Sequence, residues 1–293
     1  MDKLFVIFNP AARGEKSRRV QQFLEKKAGP TVTLAPTRRP GEAQSLAAEA
    51  VRDGFKVVVA AGGDGTINEV VNGIGTSCTA LGVLPLGTVN VFARELRIPR
   101  KIEAAWNVIE AGHMRTIDLA CAESNGKRRY FIQLAGVGFD ARAVRAASWE
   151  LKKKVGPLSY VWAGLKTLST PHVRIEVSAN GNGSVGSGVA VLIGNGRYYG
   201  GEFALFPKAR MDDGLLDVCV FEKCGYLDVL RYGQGILRGV HINLGDVKYF
   251  QTDRLACAAP SATPFELDGE DAGDVPVTFS VVPRALRVVV PKS

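Results

Sequence analysis

The sequence predicts an α/β N-terminal lobe followed by a β-rich C-terminal lobe, and three observations support this fold class. Over residues 1–111, apolar strand-like runs alternate with helical patterns, which is typical of a doubly wound parallel sheet. After residue 114, short strands punctuated by Gly, Asp and Asn dominate. A glycine cluster follows the apolar run 57–61, where a strand should give way to a helix.

The change of pattern predicts a domain boundary between residues 115 and 125. We expect one nucleotide-binding α/β domain over 1–120, which the segment 284–293 could complete, and a β-rich domain over 121–283 that binds the acceptor substrate.

In the first lobe, continuous apolar runs predict parallel strands that are buried on both faces. The expected strands are 4–8, 32–34, 57–61 and 80–84, and the expected helices are 16–27, 42–52, a segment after the glycine cluster, and 101–111. In the second lobe the expected strands are 129–134, 173–178, 188–193, 215–221, 276–282 and 285–290, and the expected helices are 141–168 and 226–238.

Composition narrows the class of protein. The 293 residues are 46% hydrophobic and 23% charged, as in ordinary globular proteins, and neither a membrane-spanning run nor a signal peptide is evident, so we expect a cytoplasmic protein. Five scattered cysteines without C-x-x-C spacing argue against a disulfide framework or a zinc site. The net charge of +8 favours an anionic partner, either a nucleotide, a nucleic acid or a membrane surface.

The stretch 57–73 predicts strand, tight turn and helix around Gly62, Gly63 and Gly65. Unpaired backbone N–H groups and the helix dipole would both face an anion bound there. Asp64 would repel a phosphate unless Mg²⁺ or a donor hydroxyl lies between them. Neither the Walker A nor the G-x-G-x-x-G spacing is present. We expect an exposed turn, and the alternative is that it carries Asp only because Asp suits turns and helix caps.

Two further regions carry candidate chemistry. Asp268 lies between Glu266 and Glu270, a cluster of acids that should raise its pKa toward the range of a general base. The alternative is a solvated hairpin, since Asp-Gly is a common type I′ turn signal.

The stretch 143–168 interleaves basic and aromatic residues, which suits either a membrane interface or an ordinary packed helix with a solvated basic face.

Several motifs occur in a fixed order along the chain. They are Asn9-Pro10-x-Ala12, the run from Gly62 to Gly73, Pro85-Leu86-Gly87-Thr88-x-Asn90-x-Phe92-Ala93-Arg94, the run from Gly136 to Ala141, Gly194-Asn195-Gly196-x-x-x-Gly200-Gly201, Asp213-Gly214-Leu215, and Leu267-Asp268-Gly269-Glu270. In this order they resemble the diacylglycerol kinase catalytic-domain family of bacterial lipid kinases, which also includes sphingosine and ceramide kinases. The first glycine-rich element alone is shared with NAD kinases.

The resemblance implies an active-site cleft between the two lobes and assigns residues to it. The nucleotide positions are Asn9, Pro10, Ala11, Ala12, Arg13, Thr37, Gly62, Gly63, Asp64, Gly65, Thr66, Ile67, Asn68 and Thr88. Asp268 falls on the general base, and Asp64 is the second catalytic candidate because it would orient Mg²⁺. A structural Mg²⁺ would take the carboxylate of Asp213 and the main-chain oxygens of Arg210 and Leu215.

The function that the resemblance implies is an ATP-dependent lipid kinase of phospholipid metabolism. It would transfer the γ-phosphoryl group to the hydroxyl of diacylglycerol or a related lipid, using Mg²⁺. The expected partners are the lipid substrate and an anionic membrane, bound peripherally at its inner face, with no nucleic acid and with a homodimer left open. The alternatives are a catalytically inactive regulatory protein that binds lipid or nucleotide, and a phosphotransferase similar to NAD kinase.

Overall fold

The computed structural model describes residues 3–10, 14–146, 173–181, 183–201 and 203–292. The chain forms two compact units, unit 1 from Met1–Leu119 with Pro283–Ser293, and unit 2 from Ala120–Val282. Two strands, β5 (Met114–Ser124) and β18 (Val277–Val289), run from one unit into the other. Among the described residues, no helix has the length and apolar character needed to cross a membrane.

Unit 1 is built on a parallel sheet with the strand order β2-β1-β3-β4, to which the end of β18 adds a further parallel strand beside β4. Its elements are β1 (Leu4–Phe8), α1 (Gly14–Lys27), β2 (Val32–Pro36), α2 (Glu42–Arg52), β3 (Val57–Gly62), α3 (Asp64–Ile74), β4 (Ala80–Pro85), α4 (Val91–Glu95) and α5 (Ile102–Ala111). Strands β1, β3 and β4 are buried along their whole length, which explains their continuous apolar sequences.

The strand order reverses direction between β1 and β3. Right-handed crossovers therefore put α1 on one face of the sheet and α2 and α3 on the other. Helix α5 shares the face of α1, since the rings of Phe23 and Trp106 meet edge to face at 5.9 Å. In open α/β sheets a crevice for ligands forms at the carboxyl ends of the strands where the order reverses, here after β1 and β3.

Helices α2 and α3 pack closely, and a side chain of α3 also caps the N-terminus of α2. The carboxylate of Glu69 on α3 accepts the N–H groups of Gly41 at 2.9 Å and Ala43 at 3.1 Å. These N–H groups precede the intrahelical hydrogen bonds of α2 and would otherwise lack a partner. Farther along α3, Gly73 lies against the backbone of Gln44 and the side chain of Ala47.

Unit 2 is a sandwich of two largely antiparallel sheets. Its remaining elements are β6 (Lys127–Phe131), β7 (Leu134–Gly138), α6 (Phe139–Ala146), β8 (Ile175–Ala179), β9 (Ser184–Gly188), β10 (Ala190–Gly194), β11 (Tyr198–Tyr199), β12 (Phe203–Ala204), β13 (Leu216–Phe221), α7 (Tyr226–Leu237), a 3₁₀ turn (His241–Asn243), β14 (Val247–Thr252), β15 (Arg254–Ala258), β16 (Pro264–Leu267) and β17 (Glu270–Asp274). One sheet has the order β14-β13-β10-β7-β16-β17. In the other, β18 pairs with β15 and β5, and β15 with β8.

The core of unit 2 lies between these sheets, where the Phe279 ring meets those of Phe131 and Phe265 edge to face at 6.0 and 6.2 Å. The predicted fold class, an α/β lobe followed by a β-rich sandwich, is therefore confirmed.

Three of the predicted strands are divided or joined differently in the structure. The strand expected at 129–134 is two strands, because the N–H groups of Ile132 and Gln133 donate to Asp268 rather than to a sheet. The strands expected at 276–282 and 285–290 are one strand, β18, in which Arg284 has a φ of 50° and donates its N–H to Asp118 at 2.7 Å. Of the helix expected at 141–168, α6 covers the start, and residues 147–168 lie outside the described residues.

The contact of α2 with α3 predicts the effect of a single methyl group. A Cβ on Gly73 would lie 2.3 Å from the carbonyl oxygen of Gln44, so Gly73→Ala should lower the free energy of unfolding by about 1–3 kcal/mol, measured by urea denaturation. The matched control is Gly233→Ala in α7, where no atom lies within 4 Å and the helix should gain about 0.5–1 kcal/mol. Equal effects of the two substitutions would contradict the close packing.

Candidate functional site

The first residues after β1, β2 and β4 each donate a backbone hydrogen bond to the end of a neighbouring strand. Asn9 donates its N–H to Ala61 at 3.3 Å, and Leu86 donates to Gly62 at 2.9 Å. Thr37 is buried, and both its N–H, at 2.9 Å, and its hydroxyl, at 3.5 Å, point to the carbonyl of Phe8. The structure thus brings Asn9, Thr37 and Gly62 to one edge of the sheet. Pro10 is exposed beside Asn9, and the candidates Ala11, Ala12 and Arg13 lie outside the described residues.

Steric crowding requires glycine at positions 62 and 87. A Cβ on Gly62 would lie 2.5 Å from the Cβ of Thr66, and a Cβ on Gly87 would lie 2.7 Å from the Cα of Gly63. The two loops therefore touch backbone to backbone, and side chains in place of these hydrogens would separate them. This contact brings the β4–α4 loop next to the start of α3.

The start of α3 exposes backbone donors. Its first intrahelical hydrogen bond runs from the N–H of Ile67 to the carbonyl of Gly63 at 3.1 Å, so the N–H groups of Gly65 and Thr66 precede the bonded part of the helix. Such N–H groups at a positive helix end suit an anion. The side chains of Ile67 and Asn68 are buried, as that of Thr37 is, and the N–H of Ile67 is already bonded.

Asp64 joins the starts of two helices, α3 and α4. One carboxylate oxygen accepts the N–H of Phe92 at 3.3 Å. Burial raises the pKa of Asp64, and hydrogen bonds from the N–H groups of Val91, Phe92 and Asn90 oppose that rise. The prediction of an exposed turn is therefore wrong at this side chain, which is half-buried and anchors the β4–α4 loop.

Hydrogen bonds between the Asn90 side chain and the Gly87 backbone fix the shape of the β4–α4 loop. Asn90 is buried with a φ of 56°, and its side chain accepts the Gly87 N–H at 2.8 Å and donates to the Gly87 carbonyl at 2.7 Å. Thr88 is exposed at the tip, and its carbonyl accepts a hydrogen bond from Arg100 at 2.9 Å. The Thr88 side chain is therefore presented on a loop of fixed shape.

In unit 2, Asp268 occupies the hairpin between β16 and β17. Its φ of 48° and the φ of 84° at Gly269 are those of a type I′ turn. The carboxylate accepts three backbone N–H groups, from Ile132 at 2.8 Å, Gln133 at 2.9 Å and Leu134 at 3.0 Å. Asp268 is therefore a fixed group bonded to the segment between β6 and β7, and not merely the tip of a solvated hairpin.

Beside this turn lies a buried pair of carboxyl groups, Asp140 on α6 and Glu266 on β16. A Cβ on Gly136 would lie 2.4 Å from Asp140 Oδ2 and 2.9 Å from Glu266 Oε1, so both oxygens occupy the space over this glycine. Among the described residues neither oxygen has a hydrogen-bond donor. The other oxygen of Asp140 accepts the hydroxyl of Tyr199, and the other oxygen of Glu266 accepts the Gly269 N–H at 2.6 Å.

A single proton would satisfy this pair. Burial, followed by the charge of Asp140, raises the pKa of Glu266 well above its ordinary value, and burial also raises the pKa of Asp140. A protonated Glu266 can donate to the ionised Asp140, which turns a repulsion into a hydrogen bond. Through its bond to Gly269, Glu266 then supports the turn that carries Asp268.

Neither acid of this pair is singled out by the sequence motifs as a site residue. The sequence carried no clear signal for Glu266, because an acid that alternates with Phe265 and Leu267 predicts a solvent-facing strand position. Its partner could not be inferred, because the meeting of α6 with β16 is set by tertiary packing.

The cation candidates of unit 2 lie at the turn before β13. Asp213 is exposed, and one carboxylate oxygen accepts the Leu215 N–H at 3.1 Å, while the Arg210 side chain pairs with Asp212 at 3.4 Å. One carboxylate and two main-chain oxygens are hard donors of the kind that Mg²⁺ accepts together with water. Within the described part of the chain, no three His, Cys, Asp or Glu side chains form a cluster that could hold a metal.

The basic stretch 143–168 is described only at its start. There Arg145 is not available to an anionic membrane, because its guanidinium bonds to Asp271 at 2.8 Å and to Asp274 at 2.9 Å. The remaining lysines and aromatic residues of this stretch lie outside the described residues.

Comparison with known proteins agrees with this two-unit arrangement. Residues 3–122 match the diacylglycerol kinase catalytic domain, and residues 134–290 match the YegS C-terminal NAD kinase beta sandwich-like domain. The chain is 34% identical to a diacylglycerol kinase of Bacillus subtilis, covering 100% of this chain and 97% of that protein. It is 33% identical to a YegS-like lipid kinase of Pseudomonas aeruginosa, with coverage of 99% and 95%.

A solved structure of a diacylglycerol kinase from Bacillus anthracis superposes with a TM-score of 0.79, at 24% identity, over 99% of this chain and 97% of that chain. This similarity supports the fold.

The two matched domains define a phosphotransferase that acts on an alcohol group, and the kinase family implies ATP as the phosphoryl donor. The chain belongs to the diacylglycerol kinase catalytic-domain family, with the YegS-type C-terminal domain, and the predicted class of lipid kinase is confirmed.

The carboxyl pair predicts how stability changes with pH. Because the pKa of Glu266 is raised in the folded protein, the folded state binds more protons than the unfolded state above pH 4.5, and the free energy of unfolding should fall as pH rises toward the raised value. Glu266→Gln should remove this slope, which can reach about 1.4 kcal/mol per pH unit. The measurement is urea unfolding at a series of pH values.

The control is Glu270→Gln, an exposed carboxylate 3.9 Å from Arg129, which should leave the slope unchanged. An unchanged slope in Glu266→Gln would show that the pair does not share a proton.

Proposed function

We propose that this protein phosphorylates the free hydroxyl of diacylglycerol, using Mg²⁺ and ATP. The observation that carries this proposal is the full-length similarity, at 31–34% identity, to proteins named as diacylglycerol kinases, together with a crowded glycine loop at the start of α3. Phosphoryl transfer needs held phosphates, neutralised charge and an acceptor oxygen aligned with a base. The residues described above offer a candidate for each need.

The nucleotide phosphates are proposed to bind the N–H groups of Gly65 and Thr66, with Asn9, Thr37 and Thr88 bordering the nucleotide. Support comes from their position at the carboxyl edge of the sheet, beside the reversal of strand order. The fixed shape of the loop from Gly87 to Asn90 favours binding, because little conformational freedom remains to be lost.

Mg²⁺ is proposed to act with Asp64, whose carboxylate lies at the start of α3 beside the proposed phosphate donors. When bound, the ion supplies neutralisation of the phosphate charge. A second, structural Mg²⁺ is proposed at Asp213, with the main-chain oxygens of Arg210 and Leu215. The hard oxygen donors support this site.

Asp268 is proposed to accept the proton of the lipid hydroxyl. Its carboxylate is positioned by three N–H donors, and a base is effective only when its position is fixed relative to the acceptor oxygen. The protein is further proposed to work at the surface of an anionic membrane, because its acceptor resides there and its net charge is +8. The homodimer and the cleft between the lobes stay predictions.

The choice of acceptor can be tested directly. Labelled ATP and Mg²⁺ are supplied with mixed micelles that contain diacylglycerol, sphingosine or ceramide, and with NAD⁺ in a parallel reaction. We expect phosphatidic acid as the main product, by chromatography of the labelled lipids. Labelled NADP⁺ as the main product would instead support the phosphotransferase similar to NAD kinase.

The role of Asp268 predicts a selective loss of turnover. Asp268→Asn should lower kcat about 10²–10⁴-fold and leave KM for ATP nearly unchanged. An amide in this place directs one N–H₂ group toward a backbone N–H, so the variant should also lose about 1–3 kcal/mol of stability. Rates are therefore compared at a temperature where both proteins are folded.

Glu270→Gln is the control for this experiment, since Glu270 is the first residue of β17, two residues after Asp268 in the chain. A large loss in Glu270→Gln with normal turnover in Asp268→Asn would move the base to Glu270.

The proposed role of Asp64 must be separated from its structural role. Asp64→Asn weakens the bonds to the start of α4, as Glu69→Gln weakens those to the start of α2, and both variants should unfold at a lower temperature. Asp64→Asn alone should raise the Mg²⁺ concentration that gives half-maximal rate. If the two variants show the same Mg²⁺ dependence, Asp64 acts only through the fold.

A further inference from the structure

Helix α7 exposes an unusual number of large apolar side chains. Five of the eight exposed large hydrophobic residues among those described lie on α7 and the turn that follows, namely Tyr226, Leu227, Leu230, Leu237 and Val240. Leu227 is 82% exposed and Leu237 70%, whereas the exposed large hydrophobic residues described outside this segment reach at most 44%. Contiguous apolar surface of this kind marks a binding face.

The exposed side chains form one stripe. With about 3.6 residues per turn, Tyr226, Leu230 and Leu237 lie along one line of the helix, and Leu227 lies beside them. A surface helix normally turns its apolar side chains toward the protein core, whereas the apolar stripe of α7 faces away from the protein.

The opposite side of α7 is firmly packed. Tyr232 meets the ring of Phe221 edge to face at 4.9 Å and donates its hydroxyl to Asp246 at 3.0 Å. Gly235 lies against His241, where an added Cβ would be 3.1 Å from the His241 Cα. The helix thus has a fixed orientation, and the stripe is not the result of a loosely placed segment.

Basic side chains border the stripe on the side of Leu227. Arg231 pairs with Asp228 at 3.2 Å and with Asp246, and Lys223 is 3.9 Å from Asp246. Arg238 is exposed, and within the described residues it forms no salt bridge with an acid. Three cations and two acids leave this border net positive, with Arg238 available to an anion.

The charge and the small area of the stripe together indicate its partner. A stable protein dimer buries about 800 Å² and some 20–30 residues per partner, which a stripe of five side chains on one helix does not supply. A bilayer interface instead accepts a single helix, with apolar side chains among the acyl chains and basic side chains at anionic headgroups.

We infer that α7 is a membrane-docking helix that inserts Leu227, Leu230 and Leu237 into the interface of an anionic bilayer, with Arg238 at the headgroups. This inference rests on the proposed function, since a diacylglycerol acceptor resides in the bilayer. It names a surface different from the basic stretch 143–168.

The test compares a triple variant, Leu227→Gln with Leu230→Gln and Leu237→Gln, with a control variant that changes exposed apolar residues elsewhere, Met114→Gln with Val185→Gln. Binding is measured by cosedimentation with phosphatidylcholine vesicles that contain about one third phosphatidylglycerol. The triple variant should bind at least about tenfold more weakly, and the control variant should bind as the unmodified protein does. Arg238→Gln should weaken binding to these anionic vesicles and leave binding to vesicles of phosphatidylcholine alone unchanged.

Turnover is measured with two acceptors, a long-chain diacylglycerol in these vesicles and a short-chain diacylglycerol dissolved as monomers. The triple variant should lose activity on vesicles and keep the rate on the soluble acceptor within about twofold, because the chemistry does not involve α7. Undiminished vesicle binding by the triple variant would overturn the inference. If the triple variant then also changed from dimer to monomer in sedimentation velocity, the partner of the stripe would be a second copy of the chain.

The two proposals fail in different ways. If the unmodified protein phosphorylates neither acceptor, the proposed function is wrong, whereas the cosedimentation result still decides whether α7 docks on membranes.

Discussion

Carboxylates that accept backbone N–H groups hold the loops of this protein in place. Asp64 bonds to the start of α4, Glu69 to the start of α2, and Asp268 to the segment between β6 and β7. Asp118 bonds to the irregular point of β18, and Glu266 to the turn after β16. An N–H group left without a partner inside a protein costs about as much as a lost hydrogen bond, so each acid stabilises a particular loop shape.

Two of these acids, Asp64 and Asp268, are also the candidates for chemistry, which links structure and function closely. Asp64 and Asp268 are positioned by the N–H groups that they satisfy, so their orientation does not depend on a bound substrate. The cost is that neither can be replaced without disturbing the fold. Experiments on such residues need a control carboxylate without an assigned role in the reaction. Glu69 accepts N–H groups at a helix start as Asp64 does, and Glu270 is an exposed carboxylate two residues after Asp268.

Sequence patterns predicted what depends on local periodicity, and tertiary contacts decided the rest. The helix 42–52 and the buried strands were predictable, because a continuous apolar run or a helical repeat is local information. The division of 129–134 into two strands was not, because it depends on Asp268, far along the chain. The glycine cluster was visible in the sequence, but the capping bonds of Asp64 and the pairing of Asp140 with Glu266 arise only when distant segments meet.

The path of the chain has a consequence for the order of folding during synthesis. Unit 1 contains residues that come before unit 2 in the chain and residues that come after it. Among the later ones, Arg287 and Val288 of β18 complete the parallel sheet of unit 1 beside Ala80 and Leu81. A ribosome makes all of unit 2 before these residues emerge. The nascent α/β lobe therefore has an open sheet edge at β4 while the sandwich is being made, and an unpaired edge can pair with other chains. Slow translation of unit 2 would lengthen that exposure.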